Sequence, residues 1–165
     1  LASRSFYKTE CPNILTAARR ARQDEIEEVV VDKKVLAAFK RRALKAFPNE
    51  YIETIWGYIR GSTAYIVVFH AMEHEGKKDR ILVEDGYEHS EDEVFHDKLQ
   101  LLGTIHTHPG TDSIPFPSET DWDTHQDEQE HLMGILAINK RGQRRFTSVN
   151  FFGSTKTPVA LTIAE

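Results

Sequence analysis

The chain has 165 residues, 39% of them hydrophobic, which suits one domain with a single buried core. Its 21 Lys and Arg against 26 Asp and Glu leave a net charge of -5, which argues against general affinity for a nucleic-acid backbone or an anionic membrane. Cys11 is the sole cysteine, so disulfide frameworks and four-cysteine zinc clusters are excluded and a reducing cytoplasm is expected.

No stretch approaches the ~18 continuous apolar residues of a membrane span, and the opening LASRSFYKTE lacks the apolar centre of a signal peptide. Residues 13–28, NILTAARRARQDEIEE, read as a surface helix able to pack on the domain or on a partner, and residues 1–32 are expected to form a helical extension. Residues 33–165 are expected to form the main folded domain.

Asp32 can cap a helix, KKVLAAFKRRALKAF, whose Val35, Leu36, Phe39, Ala43, Leu44 and Phe47 share one face and which Pro48 closes. The β-branched and aromatic runs ETIWGYIRG and STAYIVVFHAM, split by a Gly-Ser turn, predict an antiparallel hairpin. Glu84 to Asp97 carries seven acids and no Lys or Arg; Ser90 and Glu93 predict a capping box on a short helix there.

LLGTIHTH reads as a buried strand running straight into two histidines, followed by a Pro/Gly/Ser-rich loop from Pro109 to Ser118. A polar helix is expected over Glu119 to His131 with Ser118 as N-cap, then strands in LMGILAIN, QRRFTSVNFFG and PVALTIAE, with a turn at Asn139 to Gln143. The order predicts a mixed α/β or α+β domain in which helices flank one mainly antiparallel sheet.

The chemistry concentrates in His106-Thr107-His108-Pro109 and in Ser118-Glu119-Thr120-Asp121. Histidines two apart on an extended segment point to the same side and can reach one ion. Asp121, on the first turn of the next helix, supplies a carboxylate if the Pro-rich loop folds back. Three protein ligands leave a fourth tetrahedral position open, which marks a catalytic zinc site rather than a structural one.

His-x-His-Pro followed by Ser-x-x-Asp resembles the motif of the JAMM, or MPN-plus, metallopeptidases, and the order of predicted elements extends the resemblance over roughly residues 33 to 163. The resemblance implies one zinc per chain on His106, His108 and Asp121, oxyanion donation by Ser118, and an upstream glutamate as general base. Members commonly show Glu-x-x-Gly at that glutamate. Here Glu53 precedes Gly57 by four positions, and Glu50 follows Pro48-Asn49; Glu53, leading directly into TIWGYI, is preferred, with Glu50 as the alternative. The loop from His108 to Ser118 is also slightly longer than in many members.

The implied activity is hydrolysis of the amide or isopeptide bond after the tail of a ubiquitin-like or sulfur-carrier-like protein, with the tail held beside the active-site strands. The compactness and lack of further cysteines resemble prokaryotic members. The rival readings are a non-catalytic MPN-type interaction module and a metal hydrolase of small amide or thioester adducts. The other histidines, His70, His74, His89, His96, His125 and His131, lie in polar contexts that suggest solvated side chains. His125, one turn after Asp121, is the exception that could brace a metal ligand. Trp56 and Trp122 read as core or site-wall aromatics rather than base-stacking platforms.

Overall fold

A computed structural model of the chain describes residues 26–71, 74–76, 81–83 and 99–165. Most of the helix expected over 13–28, the acidic helix expected within 84–97, and Cys11 lie outside the described residues.

The first described element is a strand, β1 (Glu28–Asp32), whose Val29 and Val31 are fully buried. It runs parallel to both its neighbours, inside the sheet, so the sheet starts at Glu28, ahead of the boundary expected at residue 33. An uninterrupted β-branched run such as VVV suits a strand covered on both faces, where polar alternation disappears.

Helix α1 (Lys33–Ala46) begins where Asp32 accepts a hydrogen bond from the Lys34 amide at 2.7 Å, and it buries Leu36, Phe39 and Ala43. After it, β2 (Ile52–Arg60) and β3 (Thr63–Ala71) form the expected antiparallel hairpin, with Gly61 at φ 60° in the turn. Two short strands, β4 (His74–Gly76) and β5 (Ile81–Val83), form a separate antiparallel ladder.

The long strand β6 (Gln100–Gly110), helix α2 (Glu119–Glu128) and strand β7 (Leu132–Arg141) make a βαβ crossover, because β6 and β7 are parallel. They approach closely: a Cβ on Gly103 would stand 1.7 Å from the Leu132 carbonyl oxygen. Helix α2 is shorter than the expected Glu119 to His131. It ends at Gln129, in the left-handed region at φ 53°, and turns through Glu130 and His131 into β7. The chain closes with β8 (Arg144–Phe152) and β9 (Ala160–Ala164).

The seven-stranded order is β8-β7-β6-β2-β3-β1-β9. Antiparallel pairing joins β2 to β3 and β6 and β7 to β8; parallel pairing joins β6 to β7 and β1 to β3 and β9. The sheet is therefore mixed, and the whole is an α+β fold.

Partners across a ladder share a face. His106 pairs with Ile52 on one side and Ile135 on the other, so these three share the face on which α2 packs through Trp122, Met133, Ile135 and Phe152. Glu53 pairs with Ile105 and takes the opposite face, where α1 packs Leu36, Phe39 and Ala43 over Ile55, Ile105, Leu136 and Phe151. The histidine face and the α1 face are separated by the thickness of the sheet.

Candidate metal centre

The end of β6 presents His106 and His108 on one side, with Nε2 atoms 3.1 Å apart. Asp121 Oδ2 lies 3.0 Å from His108 Nε2 and 3.3 Å from His106 Nε2. Helix α2 aims the carboxylate because Ser118 caps it twice: the Ser118 hydroxyl accepts from the Asp121 amide at 3.1 Å, and the Ser118 amide donates to Asp121 Oδ2 at 2.9 Å.

The loop between β6 and α2 is tied down. Asn139 in β7 accepts from the Ser113 amide and donates to the Ser113 carbonyl, both at 2.7 Å, and Asn150 in β8 donates to the Pro115 carbonyl at 3.1 Å. Neither asparagine stood out in the sequence, where Asn139 read as the start of a turn; the turn is instead Gly142-Gln143, and Asn139 is a paired strand residue.

The donor set fits zinc. Four ligands at roughly 2.0–2.1 Å from a tetrahedral ion stand roughly 3.3 Å from one another, close to the three separations found here. Two imidazole nitrogens turned towards each other also need a proton or a cation between them. Among the described residues, these three form the group of His, Cys, Asp or Glu able to hold a metal.

The charges are set by the same contacts. Burial pulls the His106 imidazole down, but the Asp121 carboxylate outweighs it, with Glu50 and Glu130 adding to the effect, and His106 ends above its ordinary value. Burial would raise Asp121, yet its hydrogen bonds with His106 and His108 hold it far below the usual carboxylate range.

Glu53, the preferred candidate for general base, stands on the face of the sheet opposite the histidines. Its fully buried carboxylate lies on the α1 face and is gripped by Arg42, whose Nε and Nη2 donate at 2.7 and 2.8 Å, and by the Tyr51 hydroxyl. A carboxylate across the sheet and bound to a guanidinium cannot take a proton from water beside His106. Glu50 is half-buried just before β2, and its charge, like that of Glu130, helps to raise His106.

Two further histidines depart from the solvated reading. His125 is buried, its Nε2 donating to the Gly153 carbonyl at 2.7 Å and its Nδ1 3.3 Å from Glu130. His131 is fully buried, with Nε2 3.0 Å from the Gln100 amide nitrogen. The His125 contacts anchor the end of α2 to the segment after β8, which braces the helix that carries Asp121. Trp56 and Trp122 are buried, Trp56 donating to Thr54 Oγ1 at 2.9 Å.

A mixed sheet with two imidazoles at a strand end and a carboxylate at the next helix start defines an α+β domain with a three-donor metal-binding motif. Residues 32–150 match the family described as prokaryotic homologs of the JAB domain, and the chain belongs to that family. The fold is shared with a Desulfitobacterium hafniense protein solved in solution, at 18% identity and a TM-score of 0.56 over 82% of this chain and 94% of that one. It is shared also with a JAB1/MPN domain protein of Archaeoglobus fulgidus, at 14% identity and a TM-score of 0.51 over 83% of this chain and 98% of that one. No curated protein matches the chain. No described helix is long and apolar enough to cross a membrane.

Proposed function

We propose that the chain is a zinc-dependent peptidase that hydrolyses the amide or isopeptide bond after the C-terminal tail of a ubiquitin-like or sulfur-carrier-like protein. The observation that carries this reading is the convergence of His106 Nε2, His108 Nε2 and Asp121 Oδ2 on one point of one sheet face. His106, His108 and Asp121 would hold the zinc, which when bound would supply Lewis acidity toward the scissile carbonyl and water.

The protein's own groups do the rest. Glu50 accepts the proton of the attacking water and hands it to the leaving amine. Ser118 is exposed, and its hydroxyl hydrogen donates to the developing oxyanion while an oxygen lone pair stays with the Asp121 amide. Beside it, Ile114 and Phe116 are exposed on the loop and offer apolar contact to a substrate tail. The exposed Glu119, Asp123 and Asp127 of α2 favour basic residues on that tail.

The test is cleavage by zinc-loaded protein of a ubiquitin-like domain fused through its tail to a reporter, beside a free dipeptide. Cutting of the fusion at the tail junction, abolished in His108→Ala, is the expected result. Turnover of the dipeptide alone points to a small-amide hydrolase, and no turnover of either by fully loaded protein leaves an interaction module as the better reading.

A further inference from the structure

Behind the histidines, on the α1 face, lies a polar cluster that the proposed chemistry does not use. Glu53 is fully buried in it, bound by two donors of Arg42 and by the Tyr51 hydroxyl. Tyr51 is joined to the metal strand in turn: its amide donates to Thr107 Oγ1 and its carbonyl accepts from the Thr107 amide, both at 2.9 Å. Thr107 stands between His106 and His108, and Glu50 immediately precedes Tyr51.

Burial and the Glu53 carboxylate hold the Tyr51 phenol above its ordinary value, so it stays a hydrogen-bond donor. The Arg42 guanidinium stays a cation, its hydrogen bonds to Glu53 outweighing the effect of burial. A buried ion pair is an expensive way to fill space, because apolar side chains of similar volume stabilise a sheet as well or better. What the polar version adds is direction, since each bond fixes an angle as well as a distance.

We propose that Arg42, Glu53 and Tyr51 are positioning residues, a clamp from α1 through β2 to Thr107 that sets where Glu50 stands relative to the two histidines. This rests on the reading of Glu50 as the base. The clamp fastens the chain at the point where it enters β2, one residue before the ladder with β6 begins at Ile52 and His106. Loosening it leaves the three metal donors in place, because none of them bonds to the clamp side chains, and frees only the entry to β2.

The experiment uses Tyr51→Phe, which keeps the ring against Phe39 and removes the hydroxyl. A double variant, Arg42→Met with Glu53→Leu, replaces the ion pair by apolar groups and so guards against simple unfolding. Three readouts are taken: zinc per chain, hydrogen exchange at the Tyr51 and Thr107 amides, and kcat and KM on the tail fusion, the last also in a Glu50→Gln background.

Both variants are expected to keep their zinc, to exchange the Thr107 amide roughly tenfold faster, and to lose roughly tenfold in kcat at constant KM. The kcat loss is expected to vanish when Glu50 is already Gln. Unchanged exchange, or an equal kcat loss in both backgrounds, overturns the clamp and leaves Glu50 as base. Full activity of Glu50→Gln alone removes Glu50 as base and the proposal with it. The exchange result needs no substrate.

Discussion

Two carboxylate pairs stand on opposite faces of the sheet, and they behave as opposites. Glu53 faces a guanidinium, which keeps its charge at every pH a protein meets. Asp121 faces two imidazoles, whose protons can leave. The first pair can only hold a shape, whereas the second can exchange a proton for a metal ion. One sheet thus carries a fixed fastening on its α1 face and a replaceable cation on the other.

The comparison breaks most completely if the replaceable cation is not a metal. Asp121→Ala and His108→Ala are each expected to reduce zinc from about one per chain to none, read by plasma emission on purified protein. Zinc retained in either would move the site elsewhere. Next in size is the contrast between the two glutamates. Glu50→Gln should retain zinc and lose about 10²–10⁴ in kcat, with little change in melting temperature.

Glu53→Ala should instead act on stability, by about 3 kcal/mol in denaturant unfolding. That is the low end for a broken buried pair, because Arg42 keeps part of its side chain in water. If Glu53→Ala is stable and catalytically dead, the roles given to the two faces are reversed. Ser118 sharpens the separation of shape from chemistry. Ser118→Gly keeps most of the cap, at a cost of a few tenths of a kcal/mol, and should lower kcat about 10²-fold or more.

The smallest effect is the pH dependence of the metal-free protein. His106 is raised in the folded state, so its pairing with Asp121 stabilises below the ordinary histidine range and that contribution is lost as pH rises through the raised value. Zinc needs the same nitrogen without its proton, so its affinity grows over that window. The gap in melting temperature between zinc-loaded and chelator-treated protein should therefore widen from about pH 6 to about pH 8. A gap independent of pH would mean that His106 carries no proton to displace.

Much of this was legible in the residues. The meeting of His106, His108 and Asp121 was readable because it is local: parity along β6 aligns His106 with His108, and a Ser-capped helix starts at the loop end. Helix α1 and the β2–β3 hairpin followed from Asp32, the apolar spacing and the Gly-Ser turn. Strand β1 was not readable, since VVV shows no alternation and the acidic QDEIEE before it continues a helical pattern.

Which face Glu53 takes depends on the pairing of Ile52 with His106 and of Glu53 with Ile105. No spacing within β2 contains that information. The partners of His125 and His131 were hidden for a related reason: they are the Gly153 carbonyl after β8 and the Gln100 side-chain amide in β6, both distant in sequence. The loop fastenings by Asn139 and Asn150 were hidden in the same way.

All three metal donors come from the stretch between residues 106 and 121, so a bound ion closes a small ring of backbone. Such a ring removes little freedom from an unfolded chain, whose two ends of that stretch already lie near each other. An ion held by these three residues would act as a local staple for β6, its loop and α2 rather than as the keystone of the domain. Stripping it should leave β1, β3 and β9 as protected from exchange as before, with loosening confined to the ring. A single backbone cut near the exposed Ile114 would open that ring while the strand and the helix on either side stay folded. In this family member, then, opening one peptide bond would separate the donors of the candidate metal site without dismantling the scaffold.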